Sequence, residues 1–125
     1  MNFLEINNSF CVEGVPLSDI AKDYGTPAYV YSSSQIENNF NNYYSFLREK
    51  DKVCFSVKSN SNIHILQLLS NLGSGFDVVS SGELKKSLIA GGKSENIVFS
   101  GIGKSQEDIE LALQEKIFSI NLESE

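Results

Sequence analysis

Apolar residues along the chain follow two alternating rhythms. Short β-rich runs begin near Ala28 (AYVY), Val53 (VCFSV), Phe76 (FDVV), Ile97 (IVFS) and Phe118 (FSINL), at intervals of 21 to 25 residues. Between them, apolar residues recur at helical spacing: Ile36, Phe40, Tyr43, Tyr44 and Leu47, then Ile65, Leu68, Leu69 and Leu72. Leu84 with Leu88, and Ile109 with Ala112 and Leu113, repeat the pattern. Each interval holds one helix and two short loops, the length a parallel crossover needs, whereas hairpin connections are far shorter.

Helix boundaries are marked as well. Ser34-Gln35-Ile36-Glu37 and Ser80-Ser81-Gly82-Glu83 match the S-x-x-E capping box, and Gly73 suits the left-handed turn that ends a helix. Before the first βα unit, a polar turn is expected at Asn7-Asn8. Repeating βα units suit an open doubly wound sheet or a (β/α)8 barrel, and periodicity alone does not choose. The chain ends at Asn121–Glu125, where the next helix should begin. Five strands cannot close an eight-stranded barrel, so a fragment, or a truncated gene product, of a larger enzyme is expected.

Composition narrows the class. With 125 residues, 41% apolar and 10% aromatic, the chain can cover a core. No stretch approaches the ~18 consecutive apolar residues of a membrane span, and MNFLEINNSF lacks the basic start and apolar run of a secretory signal, so a cytoplasmic location is expected. A net charge of -6 without a Lys/Arg cluster argues against a nucleic-acid partner. Cys11 and Cys54 are far apart and there is one histidine, so no metal site and no disulfide framework is expected. Both cysteines read as small apolar fillers, and His64 as a surface or groove imidazole.

Gly101-Ile102-Gly103-Lys104-Ser105 and Gly92-Lys93-Ser94 invite a phosphate-loop reading. Both fail on spacing, because Val98 and Ser87 stand where the loop needs its first glycine. Phe55-Ser56-Val57-Lys58-Ser59-Asn60 is sharper: a lysine closes a strand that is otherwise apolar or small. Strand alternation puts Lys58 on the face of Cys54 and Ser56, at the carboxyl end where parallel βα folds build their sites. The competing reading is a lysine that has left the strand and reaches into solvent.

Four segments, in order, resemble the fold type III pyridoxal-phosphate decarboxylases, the alanine racemase-like barrels. FSVKSN resembles their YAVKAN lysine motif, with Ser56 and Ser59 in place of alanines. Gly73–Leu84 (GSGFDVVSSGEL) resembles GxGxDVVSxGEL, Tyr24–Tyr31 (YGTPAYVY) is similar to YGTPxYVY, and Asn121–Ser124 (NLES) is similar to NVES. The likeness runs from about Phe10 to the last residue.

The resemblance implies an α/β fold: an incomplete (β/α)8 TIM barrel, parallel strands alternating with helices. Residues 1–25 would lead into it and residues 26–125 would form its first, pyridoxal-phosphate-binding part. Lys58 would be the catalytic residue and would hold pyridoxal 5'-phosphate through its amine, with Asp77 and Glu83 as acids near the cofactor. The implied reaction decarboxylates a small amino acid, meso-2,6-diaminopimelate, to L-lysine. Ornithine, arginine and carboxynorspermidine are the rival substrates, and a non-catalytic cofactor carrier is the rival class. A homodimer is implied for the full-length enzyme. The family's ring-stacking histidine, glycine-rich phosphate loop, pyridine-nitrogen partner and second-subunit cysteine come later in sequence, so these 125 residues alone are expected not to decarboxylate efficiently.

Two of these residues have local readings too. Glu83 fits the third helical position of a box begun by Ser80, a role that needs no active site. Asp77 interrupts an apolar strand, where an unpaired carboxylate is costly, so pairing with a cation such as Lys58 is expected.

Overall fold

The computed structural model describes residues 3–6 and 8–124. They form two compact units, divided between Asn39 and Phe40.

The first unit opens with an antiparallel meander of β1 (Phe3–Ile6), β2 (Ser9–Val12) and β3 (Val15–Pro16). Val12 pairs with Val15 across Glu13-Gly14, whose φ angles of 50° and 82° are the all-positive pair of a tight hairpin turn. Asn8 also has positive φ, 61°, while Asn7, the other half of the expected polar turn, lies outside the described residues. Helix α1 (Leu17–Tyr24) follows, and α2 (Ser33–Tyr44) begins in this unit and ends in the next.

The start of α2 differs from expectation. The cap is Ser32 rather than Ser34: the Gln35 amide donates to Ser32 Oγ at 3.0 Å, and helix begins at Ser33. Glu13 decides this, because its Oε1 accepts from Ser32 Oγ at 2.6 Å, the Ser34 amide at 2.9 Å and Ser34 Oγ at 2.8 Å. A carboxylate thus satisfies one of the amides that the helix leaves open, that of Ser34. The same bonds, those from Ser32 foremost, hold the Glu13 carboxyl down to about 2.

AYVY forms no strand. Ala28–Tyr31 has no ladder assigned to it, and Tyr29 and Tyr31 are exposed. Its residues suit a pleated surface, but a strand exists only with a neighbour to bond.

The second unit carries the expected βα repeat. Strands β4 (Cys54–Ser56), β5 (Gly75–Val78), β6 (Ile97–Phe99) and β7 (Ser119–Ile120) lie parallel in that order. Helices α3 (Ile63–Asn71), α4 (Ser81–Ile89) and α5 (Gln106–Gln114) connect them. This is an open, four-stranded part of a (β/α)8 barrel. Phe76, Val78, Ile97 and Phe99 are buried on the helix side of the sheet, as are Ile65, Leu66 and Leu69 of α3, Leu84 of α4 and Ala112 of α5. Burying side chains of this size stabilises the fold by about 1.5–3 kcal/mol each. Leu66, fully buried, lies beyond the apolar stripe expected for α3.

Each of these helices stops in a left-handed turn. After α3, the Gly73 amide donates to Ser70 and the Ser74 amide to Leu69, with Gly73 at φ 88°. After α5 the same pair of bonds forms with Lys116 at φ 53° in place of glycine.

The other face of the sheet is small and polar. Strand register puts Cys54 beside Gly75, Ser56 beside Asp77, Asp77 beside Val98 and Val98 beside Ser119. Register partners in a parallel sheet share a face, so these residues line what is the interior side in a barrel. Cys11 is buried, as a filler should be, but Cys54 is exposed on this interior face.

Candidate active site at the carboxyl rim

Strand β4 ends at Ser56, and Val57–Ser59 form a single 3-10 turn. Lys58 has therefore left the strand, and alternation does not carry it onto the face of Ser56. The turn is fixed at both ends. Val57 is fully buried, Ser59 Oγ donates to the Ser56 carbonyl at 2.7 Å, and the Asn60 amide donates to the Val57 carbonyl at 3.1 Å. Asn60 Oδ1 then accepts from the Asn62 amide, and Asn62 Oδ1 caps α3 by accepting from the His64 amide, both at 3.0 Å. His64 is itself exposed. The result is an exposed lysine on a pinned backbone, with no side-chain bond among the described residues.

Asp77 sits one strand over, in register with Ser56. Ser56 Oγ donates to its Oδ2 at 3.4 Å, while Oδ1 is buried and without a hydrogen-bond partner. The expected ion pair with Lys58 is not formed: among the described residues the pairs are Arg48–Asp51 and Lys104–Glu123. An orphaned buried oxygen is costly and calls for a donor from outside the chain.

Glu83 serves the local role. Its Oε2 accepts from the Val79 amide at 2.9 Å, and its own amide donates to Ser80 Oγ at 3.2 Å. It thereby fixes the turn leaving β5. That turn is also tied to the next helix, where Asp108 Oδ1 accepts from the Ser81 amide at 2.8 Å. Oδ2 of the same carboxylate closes the capping box of α5, accepting from the Ser105 amide at 3.0 Å and Ser105 Oγ at 2.9 Å. These bonds, those from Ser105 first, lower the Asp108 carboxyl to about 2.

Asp108 was invisible as a rim residue in the sequence, although Ser105-x-x-Asp108 carries the pattern of a cap. Lys104 was visible only as part of a failed phosphate loop. Its ammonium donates to the Gly101 carbonyl and, at 2.8 Å, to Glu123 Oε2.

At the opposite, amino end of the strands, a cavity of about 330 Å³ is lined by Lys50, Lys52, Cys54, Asn96, Val98 and Phe118. Partial burial raises the Cys54 thiol above its usual range, the Asp77 charge adds to this, and Lys52 opposes it. In barrels of this kind chemistry belongs to the carboxyl face, which makes the rim that carries Lys58 and Asp77 the candidate site rather than this cavity.

Comparison with known proteins decides the family. Residues 33–125 match the pyridoxal-dependent decarboxylases, at their pyridoxal binding domain. The chain belongs to that family. It is similar to the diaminopimelate decarboxylases of Pseudomonas fluorescens, at 49% identity over 90% of the chain, and Haemophilus influenzae, at 44% over 99%. It spans 27% and 30% of the lengths of these two relatives. The crystal structure of diaminopimelate decarboxylase from M. jannaschii in complex with L-lysine superposes with a TM-score of 0.93 at 33% identity, covering 97% of this chain and 30% of that one. No helix among the described residues is long and apolar enough to cross a membrane.

The residues of the carboxyl rim fit the cofactor of this pyridoxal-dependent family. Lys58 offers a free primary amine at the carboxyl rim, and Asp77 Oδ1 is an unmatched buried acceptor on the interior face. Gly75, on that same face, lies so near the Asn96 carbonyl and Cys54 Sγ that a Cβ there would collide with both.

Proposed function

We propose that the protein carrying these residues is a pyridoxal-phosphate-dependent carboxy-lyase that converts meso-2,6-diaminopimelate to L-lysine. One observation carries the reading: in a pyridoxal binding domain, an exposed lysine stands in the turn that follows β4, and the register partner of the residue before that turn holds a buried, unmatched carboxylate oxygen.

Lys58 would hold pyridoxal phosphate through Nζ, and Asp77 would meet it or its substrate through Oδ1. When bound, the cofactor supplies an electron sink that makes loss of carbon dioxide from an amino acid accessible. The chain's own residues supply placement. Buried Val57 and the Ser59 hydroxyl hold the Lys58 backbone still, so the reach of the amine is set by its side chain alone. Ser56 donates to Oδ2 of Asp77 and leaves Oδ1 to accept a hydrogen bond from an incoming donor. Glu83 would hold the turn after β5 in place through the Val79 amide.

Diaminopimelate is favoured over other amino acids by the relatives. The relatives at 44–49% identity are diaminopimelate decarboxylases, and among the solved structures diaminopimelate decarboxylases stand at 31–43%, against 27% for the lysine decarboxylase of Selenomonas ruminantium. The reading includes residues 26–125 as part of the barrel, a cytoplasmic location and a homodimeric holoenzyme. The test is to express the complete open reading frame and supply meso-diaminopimelate, ornithine and arginine separately. Lysine formed from the first alone, and lost in Lys58→Ala, is the expected result; release of carbon dioxide from ornithine or arginine instead would replace the substrate assignment.

A further inference from the structure

Lys104 is an unusual residue for a connecting loop. It follows β6 by a short glycine-bearing turn, yet its side chain is only 7% exposed. A buried ammonium is costly unless it is paired, and this one has two acceptors on different segments. The Gly101 carbonyl belongs to its own loop, while Glu123 belongs to the segment after β7. The ammonium also stands 6.0 Å from the centre of the Phe99 ring.

A second tie joins the same two segments. Asn121 Nδ2 donates to Ser100 Oγ at 3.1 Å, and the Asn121 amide donates to the Phe99 carbonyl at 2.8 Å. The loop so held rests on the neighbouring strand end: Gly101, at φ 92°, is close enough that a Cβ would lie 3.4 Å from Val79. Val79 in turn is the residue whose amide Glu83 holds, two positions beyond Asp77. The loop is also tied to that strand end directly, because the Ser100 amide donates to the Val78 carbonyl at 2.8 Å, so a run of bonds leads from Glu123 through Lys104, Gly101 and Ser100 to the residue beside Asp77.

We propose that Lys104 and Glu123 are a positioning pair, which locks the loops after β6 and β7 into the arrangement that lets the carboxyl rim bind pyridoxal phosphate. This rests on the cofactor reading given above. Lys104 would touch neither cofactor nor substrate, and its effect would reach them through Gly101, Ser100 and Val78.

The experiment uses the complete open reading frame as wild type, Lys104→Met, Lys104→Arg, Glu123→Gln and Lys58→Ala. Pyridoxal phosphate is titrated into each apoprotein, binding is followed by its visible absorption, and borohydride-trapped adduct is measured at saturation. Each loop side chain left to be ordered on binding costs up to about tenfold in affinity. Lys104→Met and Glu123→Gln are expected to weaken cofactor affinity by about tenfold on that basis, with trapped adduct at saturation unchanged and Lys104→Arg restoring part of the loss. Met fills the buried path without a charge, and Glu123 is one-third exposed, so at least one of the two variants should fold. A lower melting temperature with cofactor affinity within about twofold of wild type would mean a purely structural pair and overturn the proposal. If wild type forms no adduct, or Lys58→Ala keeps it, the cofactor reading itself fails and takes this one with it. Unchanged affinity beside a Lys58-dependent adduct overturns the positioning pair alone.

Discussion

Ser56 and Asp77 face each other across the β4–β5 register, and the serine hydroxyl bonds one carboxylate oxygen at 3.4 Å while the other stays buried and unmatched. An unsatisfied buried acceptor destabilises by about 1–3 kcal/mol. Asp77→Ala is therefore expected to make the apoprotein more stable, by ~1 kcal/mol, and to weaken pyridoxal-phosphate binding. Urea unfolding with and without cofactor measures both. A variant that is destabilised without cofactor would show that Asp77 is structural.

Glu83 poses a different question, because its carboxylate already has a local partner in the Val79 amide. Glu83→Gln keeps an acceptor for that amide and should leave stability within ~0.5 kcal/mol, whereas Glu83→Ala should cost ~1 kcal/mol, as loss of a cap does. Cofactor affinity in the glutamine variant is the decisive readout. If it stays at wild type, capping is the residue's whole role; a large fall would add direct contact with the cofactor.

Acid should loosen the strap between α4 and α5. The Asp108 carboxyl is lowered from 3.8 to about 2 by the Ser105 and Ser81 bonds. A group whose folded value is depressed contributes stability above its unfolded value, near pH 4, and loses it as pH falls toward 2. Glu13 titrates in the same window, so the comparison must be made between wild type and Asp108→Asn. The variant is expected to be less stable at pH 7 and to show a shallower fall between pH 4 and 2, read from urea midpoints across that range. Parallel curves would remove Asp108 from the acid response.

The parts of the fold that depend on neighbours in sequence were legible. Phe76, Val78, Ile97 and Phe99 announced their strands, because burial against helices demands apolar side chains at strand spacing. Ser80 and Glu83 announced the start of α4, where the Glu83 amide donates to Ser80 Oγ, although the Glu83 carboxylate reaches the Val79 amide and not that of Ser80. What escaped reading depends on distant partners. Ser32 caps α2 because Glu13, 19 residues earlier, reaches its hydroxyl. Lys104 is buried because Glu123, 19 residues later, pairs with it. AYVY has strand composition, yet composition supplies no neighbouring ladder. Lys58 illustrates both sides: its place after β4 was readable, but the 3-10 turn that frees it from strand alternation arises from the Ser59 and Asn60 bonds.

The central claim is that Lys58 is the amine that carries the cofactor. Reduce the complete protein with borohydride in the presence of pyridoxal phosphate, digest it, and locate the added mass by tandem mass spectrometry. The adduct is predicted on Lys58, in the FSVKSN stretch, and absent from Lys58→Ala. An adduct on Lys52, Lys86 or Lys104 at wild-type yield, or none on any lysine, would contradict the account.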